Sequence, residues 1–152
     1  MHAVILIGLP AAGKSTFCQQ RFADTHVRLN LDSLRTRRRE ATLLEACILD
    51  RRPFVVDNTN ASVAERARFI VPAQAAGYNV VGYYFRSVVA DCLERNRLRS
   101  GPGRVPDAAV LGTAGRLRPP SLAEGFTQLW YVSQVPRGGF AVEEWRDEVH
   151  GS

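Results

Sequence analysis

The chain has 152 residues, of which 45% are hydrophobic, and a formal net charge of +5. This length suits a single domain with a buried core, and the composition excludes a disordered chain. No apolar run approaches the roughly 20 residues of a membrane-spanning helix, so we expect a cytoplasmic protein with no membrane partner. The positive charge favours a polyanionic partner, although it is equally compatible with a role in solubility alone.

Apolar runs and helical patterns alternate along the chain. Strands are predicted over residues 3–7, 27–29, 53–56, 79–85 and 129–132. Helices are predicted over residues 14–23, from 32 to about 48, 63–76, 88–99 and 106–117. This alternation is typical of an α/β domain with a mostly parallel sheet of four to five strands flanked by helices. A functional site is then expected at the carboxyl ends of the strands.

The strongest motif is GLPAAGKS at residues 8–15, where the first strand should turn into a helix. Gly8 and Gly13 let the backbone aim its N–H groups at phosphate oxygens. Lys14, the only lysine among 20 Lys and Arg residues, should reach the β- and γ-phosphates, and the Ser15 hydroxyl should hold Mg²⁺. We therefore predict that ATP and Mg²⁺ bind to a P-loop, and a small kinase fits best. The predicted loop contacts are Gly8, Pro10, Ala11, Ala12, Gly13, Lys14 and Ser15.

An acidic residue, Asp32, follows the second predicted strand and should lie beside the phosphate loop. A kinase needs such a carboxylate to take the proton from the attacking hydroxyl. Arg35 should share a helical face with Asp32 and could grip a neighbouring phosphate. The alternative is that Asp32 only caps the helix. Two or three charges of the basic run at residues 35–39 could follow a nucleic-acid backbone, while the others are only solvated.

A polar block closes the third predicted strand. Side chains at this edge could orient the acceptor or metal-bound water, and Asp57 stands where a second metal ligand beside Ser15 is expected. The alternative is an Asx turn ahead of the helix that Ser62 should cap. The block consists of Asp57, Asn58, Thr59 and Asn60.

Arg95 and Arg99 are four residues apart, so they should share a helix face just before a Gly/Pro-rich break. Positive charge there could close over the triphosphate as a helical lid, placed at about residues 95–118. The alternative is an arginine-rich helix end that complements the helix dipole. Arg116 or Arg118 is a candidate for contacting adenine.

The ordered set of motifs resembles the kinase module of the 5′-OH polynucleotide kinases, over nearly the whole chain. The motifs are GLPAAGKSTF, NLDSLR, FVVDNTN, ERNRLR, RVP at residues 104–106 and SLAEGF at residues 121–126. The resemblance implies a P-loop kinase-like fold and transfer of the ATP γ-phosphate to the 5′-OH end of DNA or RNA.

The same resemblance implies roles for single residues. Lys14, Ser15 and Thr16 would hold the donor and its metal, and Asp32 would be the general base. Arg35 would contact the phosphate next to the acceptor hydroxyl. The residues 57–60 would line the active site. Arg95 and Arg99 would be lid residues on the triphosphate.

Two alternatives remain open at this point. One is a kinase of a small-molecule hydroxyl, in a nucleoside, sugar, antibiotic or sugar nucleotide. The other is a nucleotide-binding regulator without transfer activity. Members of the resembled family often carry a phosphatase or ligase domain, but the phosphatase pattern Asp-x-Asp-x-[TV] is absent from this sequence, so such partners would be separate proteins. The preference for DNA or RNA and the oligomeric state stay undetermined.

Overall fold

A computed structural model describes residues 1–151, which form a single mixed sheet with helices on both faces. The strands are β1 His2–Ile7, β2 Val27–Leu29, β3 Phe54–Asp57, β4 Asn79–Phe85, β5 Gln128–Gln134 and β6 Phe140–Glu144. The α-helices are α1 Lys14–Phe22, α2 Leu31–Leu34, α3 Arg37–Leu49, α4 Val63–Ala75, α5 Val89–Arg97, α6 Asp107–Arg116 and α7 Asp147–His150. None of the helices in this range is long and apolar enough to cross a bilayer.

The strand order is β2-β3-β1-β4-β5-β6. The first five strands are parallel, which confirms the predicted α/β class. The predicted count of four to five strands is too low, because a sixth strand, β6, pairs antiparallel with β5 after a turn through Gly138 and Gly139. β6 is an edge strand in which only Phe140 and Val142 pack against the core, so its apolar signal is weak.

The core has two layers because β1 buries both of its faces. Ala3, Ile5 and Ile7 face a cluster that includes residues of α3 and α4. Val4 and Leu6 face the opposite cluster, with residues of α1, α5 and α6. This double burial explains the continuous apolar run in β1, which is typical of a central parallel strand.

The helix predicted from residue 32 to about 48 is wrong, because two helices occupy this region. α2 ends at Leu34, and Arg35 has a positive φ of 80°. The Thr36 hydroxyl then accepts a hydrogen bond from the Arg39 N–H and caps α3. Arg35 therefore does not continue a helical face shared with Asp32. The sequence did carry a signal for this break between α2 and α3: Thr36 is a residue type that favours the N-cap position over a helix interior.

The predicted start of α4 is confirmed, since the Ser62 hydroxyl accepts a hydrogen bond from the Glu65 N–H at 3.1 Å. The Glu65 carboxylate accepts from the Ala61 N–H and not from the Ser62 N–H, so the motif SVAE at residues 62–65 forms only half of a capping box. α5 ends at Arg97, two residues earlier than predicted.

Candidate active site

The phosphate loop connects β1 to α1 at the carboxyl edge of the sheet. Lys14 opens α1, and its ammonium turns back across the loop to donate to the carbonyls of Gly8 at 2.9 Å and Leu9 at 2.7 Å. Burial lowers the pKa of Lys14 from 10.5 to about 8, although nearby Asp57 opposes the shift. The loop thus concentrates positive charge where phosphate oxygens would enter.

Three side chains from distant elements brace this loop. Gln134 of β5 donates to the Ala12 carbonyl at 3.0 Å, and Arg95 of α5 donates to the Ala11 carbonyl at 3.1 Å. The Ser87 hydroxyl accepts from the Leu9 N–H at 3.1 Å. Sequence reasoning missed Gln134 and Ser87, because no local motif marks a contact between residues this far apart.

A second cluster lies at the start of α1 and the end of β3. The carboxylate of Asp57 is buried and accepts a hydrogen bond from the Ser15 hydroxyl at 3.0 Å. Hydroxyl and carboxylate oxygens are the ligands that Mg²⁺ prefers, usually one or two from the protein and the rest from phosphate and water. Ser15 and Asp57 therefore fit the predicted metal site, and the structure brings them together.

Arg28 of β2 completes this cluster and was not among the predicted site residues. Its Nε and Nη2 atoms donate to the same Asp57 oxygen, at 2.9 and 2.7 Å. A signal for Arg28 was present in the sequence. A charged residue interrupts the short strand VRL, whose other two residues are apolar.

Asp32 lies in α2 and lines a cavity of about 380 Å³ together with Lys14, Ser15 and Asp57. The alternative that Asp32 caps the helix is wrong, because the Asn30 side chain caps α2 by accepting from the Ser33 N–H. Within residues 1–151 the Asp32 carboxylate makes no hydrogen bond. It is exposed to solvent and available to a ligand in the cavity.

The polar block after β3 serves partly as framework. Asn58 accepts from the Leu31 N–H at 2.8 Å, and buried Asn60 donates to the Leu6 carbonyl at 2.7 Å. The Thr59 carbonyl accepts from the Gly8 N–H at 3.0 Å. All four members, Asp57, Asn58, Thr59 and Asn60, line the cavity. Their predicted role in binding substrate stays a prediction.

Of the three arginines predicted to belong to the site, Arg95 and Arg99 line a cavity and Arg35 does not. Arg99 lines the cavity, but it lies beyond the end of α5, so the predicted shared helix face with Arg95 is wrong. A smaller adjoining cavity of about 280 Å³ is lined by Arg95, Arg99 and Thr16. Arg35 lines neither cavity, whereas Arg37, which was not singled out, lines the larger one.

Arg116 and Arg118, the two residues predicted to contact adenine, lie outside both cavities. Arg116 pairs with Glu65 at 3.3 Å, and Arg118 donates to the carbonyls of Gly115 and Leu117. Neither arginine lines either cavity, so the geometry gives no support to their predicted role.

A phosphate loop between the first strand and first helix of a largely parallel sheet, with a buried carboxylate at the end of the neighbouring strand, defines a P-loop kinase-like nucleotide-binding domain. The model of the AAA domain family AAA_33 matches residues 36–120, which is more than half of the chain. The chain belongs to this family.

One curated relative is the bifunctional polynucleotide phosphatase/kinase of Schizosaccharomyces pombe, 26% identical over 137 residues that include 88% of this chain. The chain spans 33% of the length of that relative.

Solved structures share the fold at low sequence identity. Kti12 of Chaetomium thermophilum, in complex with ADP-AlF3, has a TM-score of 0.64 at 14% identity, covering 86% of this chain and 88% of that one. A sugar kinase from Janibacter sp. HTCC2649 has a TM-score of 0.59 at 14% identity, covering 79% of each chain. The PezAT toxin-antitoxin system of Streptococcus pneumoniae gives 0.62 at 16% identity, covering 91% of this chain and 70% of that one.

Proposed function

We propose that the chain transfers the γ-phosphate of ATP to the 5′-OH end of DNA or RNA. The observation that carries the proposal is the free carboxylate of Asp32 in the cavity that also holds Lys14 and the Ser15–Asp57 pair. A proton acceptor, a phosphate-binding loop and a metal-compatible pair of oxygens are the parts that phosphoryl transfer to a hydroxyl requires.

In the proposed reaction, the loop N–H groups and Lys14 hold the triphosphate. Asp32 accepts the proton of the 5′-OH as that oxygen attacks the γ-phosphorus. The bond from the γ-phosphorus to the bridging oxygen breaks, and ADP leaves with that electron pair. Arg99, which lines the cavity, offsets charge on the equatorial oxygens. Mg²⁺ held by Ser15 and Asp57 would neutralise the β- and γ-phosphate oxygens.

Two further points favour a polynucleotide acceptor over a small hydroxyl compound. The motifs occur in the order typical of the 5′-OH polynucleotide kinases, and the S. pombe relative is named as a polynucleotide phosphatase/kinase. In addition, the four arginines at residues 35–39 are exposed, and one of them, Arg37, lines the same cavity as Asp32. Several phosphates of one strand could bind there at once.

The test measures transfer from labelled ATP with Mg²⁺ to one oligonucleotide sequence in two forms, with a 5′-OH or with a 5′-phosphate. The proposal predicts label on the 5′-OH form alone. Nucleosides, sugars and sugar nucleotides are assayed in parallel. Transfer to one of those compounds and to no oligonucleotide would make the chain a small-molecule kinase. Binding of ATP without transfer to any acceptor would favour a regulator.

A further inference from the structure

The helix that carries Asp32 contributes no buried side chain to the core. α2 has only four residues, Leu31–Leu34, and none of them is buried. A helix this short is unstable on its own, and tertiary packing usually supplies the missing stability. Since α2 has no buried side chain to provide such packing, the position of Asp32 depends on the hydrogen bonds that join α2 to the end of β3.

Two asparagines make these hydrogen bonds. Asn30, the N-cap of α2, donates from Nδ2 to the Asp57 carbonyl. Asn58 accepts from the Leu31 N–H at 2.8 Å. The N–H groups in the first turn of a helix have no partner within that helix, so Asn58 supplies the acceptor that Leu31 lacks. The two contacts hold the start of α2 against the strand that ends in Asp57.

Asn58 can accept from Leu31 only with its side-chain amide in one orientation. A backbone N–H is a donor, so Oδ1 of Asn58 faces Leu31 and Nδ2 points away from it. Nδ2 donates to Glu40 Oε2 at 2.9 Å. Glu40 of α3 is 1% exposed, and its other oxygen accepts from Arg37 Nη1 at 2.7 Å. Because a carboxylate accepts hydrogen bonds and donates none, Glu40 favours the amide orientation that Leu31 requires.

We propose that Glu40 is a positioning residue for the base Asp32. The buried carboxylate fixes the amide of Asn58, the amide holds the Leu31 N–H, and Leu31 immediately precedes Asp32. Glu40 itself does not line the catalytic cavity, so it acts through Asn58 and not on the reacting atoms. The inference rests on the proposed function, because it concerns the residue proposed there as the proton acceptor.

The first test is the rate of transfer to a 5′-OH oligonucleotide. Glu40→Met removes the acceptor for Asn58, and Asn58→Asp places a second carboxylate against Glu40. Each variant should lower kcat roughly 10- to 100-fold, as for the loss of a charged hydrogen bond. KM for ATP should stay unchanged, because neither side chain forms a hydrogen bond with the phosphate loop.

A double variant separates this role from a general contribution to the fold. Glu40→Gln/Asn58→Asp exchanges the carboxylate and the amide between the two positions. A donor again faces an acceptor at each contact: the amide at position 40 donates to the carboxylate at position 58, which still accepts from the Leu31 N–H. The double variant should therefore recover most of the lost kcat. A wild-type kcat in Glu40→Met, or a double variant no faster than Asn58→Asp, would overturn the proposal.

The matched control is Glu45→Gln, which changes an exposed glutamate of the same helix that lines neither cavity. It should leave kcat unchanged. A loss equal to that of Glu40→Met would reduce the effect to general electrostatics and contradict the positioning role. Thermal melts show whether each variant has folded.

Hydrogen exchange of the Leu31 amide, followed by NMR, reports on the same contact without any turnover. Glu40→Met and Asn58→Asp should speed this exchange roughly 10-fold, and the double variant should restore the protection. The Glu65 amide is the internal reference, because a side chain also caps it, the Ser62 hydroxyl at the start of α4. Equal acceleration of both amides would show a general loss of stability and contradict the local role of Glu40.

Failure of the proposed function gives a different result from failure of this inference. If the wild type phosphorylates no acceptor, the proposed function fails, and the exchange of the Leu31 amide still tests whether Glu40 positions α2. Faster exchange in Glu40→Met with recovery in the double variant would support that role. Unchanged exchange in Glu40→Met would overturn it, whatever the activity of the wild type.

Discussion

Arg28 donates two hydrogen bonds, from Nε and Nη2, to one oxygen of the buried Asp57 carboxylate. The Ser15 hydroxyl donates to the same oxygen at 3.0 Å. A guanidinium thus neutralises the carboxylate that we expect to bind the metal ion. Since two cations cannot share this oxygen at short distance, Arg28 and a divalent ion should compete for Asp57.

The first prediction follows from this competition. Arg28→Gln should bind Mn²⁺, used as a probe without nucleotide, about 10-fold more tightly than the wild type, because a charged hydrogen bond no longer has to be broken. Calorimetric titration measures the affinity. The control Arg68→Gln changes an exposed arginine of α4 that lines neither cavity of the site and should leave the affinity unchanged. Weaker binding by Arg28→Gln would contradict the competition.

A second prediction concerns pH and the buried Lys14. Its pKa is lowered by burial to about 8 in the folded chain, against 10.5 as the ordinary value. Between these two pH values the unfolded chain binds more protons, so the free energy of unfolding of the wild type should rise with pH relative to Lys14→Met. The full gain is on the order of 3 kcal/mol. Urea unfolding of both proteins from pH 7 to pH 10 measures most of this gain, and a pH-independent difference would show that the pKa is not lowered.

The third prediction concerns Arg66, whose side chain is fully buried in α4. It pairs with both carboxylate oxygens of Glu124 and donates to the carbonyls of Asn60, Ala61 and Arg118. Removing one partner of a buried pair leaves an uncompensated charge, so Arg66→Met should lower the free energy of unfolding by about 3–5 kcal/mol.

Arg86→Met is the matched control for Arg66, because the pair of Arg86 with Asp91 is about half exposed on both sides. Its loss should change the free energy of unfolding by less than about 1 kcal/mol. Chemical unfolding measures both variants. Similar effects for the two arginines would contradict the structural role of Arg66.

A fourth prediction tests the contact between the phosphate loop and the β5–β6 hairpin. Gly13 has a φ of 103°, and a Cβ there would lie 2.7 Å from Gln134 Nε2 and 3.0 Å from the Phe140 ring. Gly13→Ala should therefore distort the loop and lower ATP affinity at least roughly 10-fold, as expected for strain of 1–3 kcal/mol.

Gly112→Ala is the control for this substitution, because nothing lies within 4 Å of a Cβ at that position of α6. It should keep ATP affinity and raise the free energy of unfolding by about 0.5–1 kcal/mol, as expected inside a helix. Calorimetric binding of ATP compares the two variants. Unchanged affinity in Gly13→Ala would show that the hairpin does not constrain the loop.

The sequence predicted the parts of the site that depend on contiguous residues. The loop at residues 8–15, the strand before it and the helix after it follow from a local motif. Asp57 was found because it ends a buried strand, and the carboxyl ends of parallel strands meet at one edge. Ser15 and Asp57 accordingly lie together, as predicted.

The remaining features of the site could not be predicted, because they depend on contacts between residues far apart in the chain. Gln134 reaches the Ala12 carbonyl only because β5 lies two strands from β1. Glu40 meets Asn58 only because α3 and β3 belong to the same core cluster. The basic run at residues 35–39 gave no means of choosing which arginine faces the cavity. That choice depends on the break at Arg35 and on a buried partner for Arg37.

The most direct test of the central claim is phosphate transfer by Asp32→Asn, which keeps the shape of the side chain but cannot accept the proton. With saturating ATP and a 5′-OH oligonucleotide, we expect the wild type to transfer phosphate and Asp32→Asn to be slower by about 10²- to 10⁴-fold. ATP affinity should be unchanged, and Asp24→Asn, at an exposed aspartate after α1, should retain full activity. Wild-type rates in Asp32→Asn, or no transfer to any oligonucleotide by the wild type, would contradict the account.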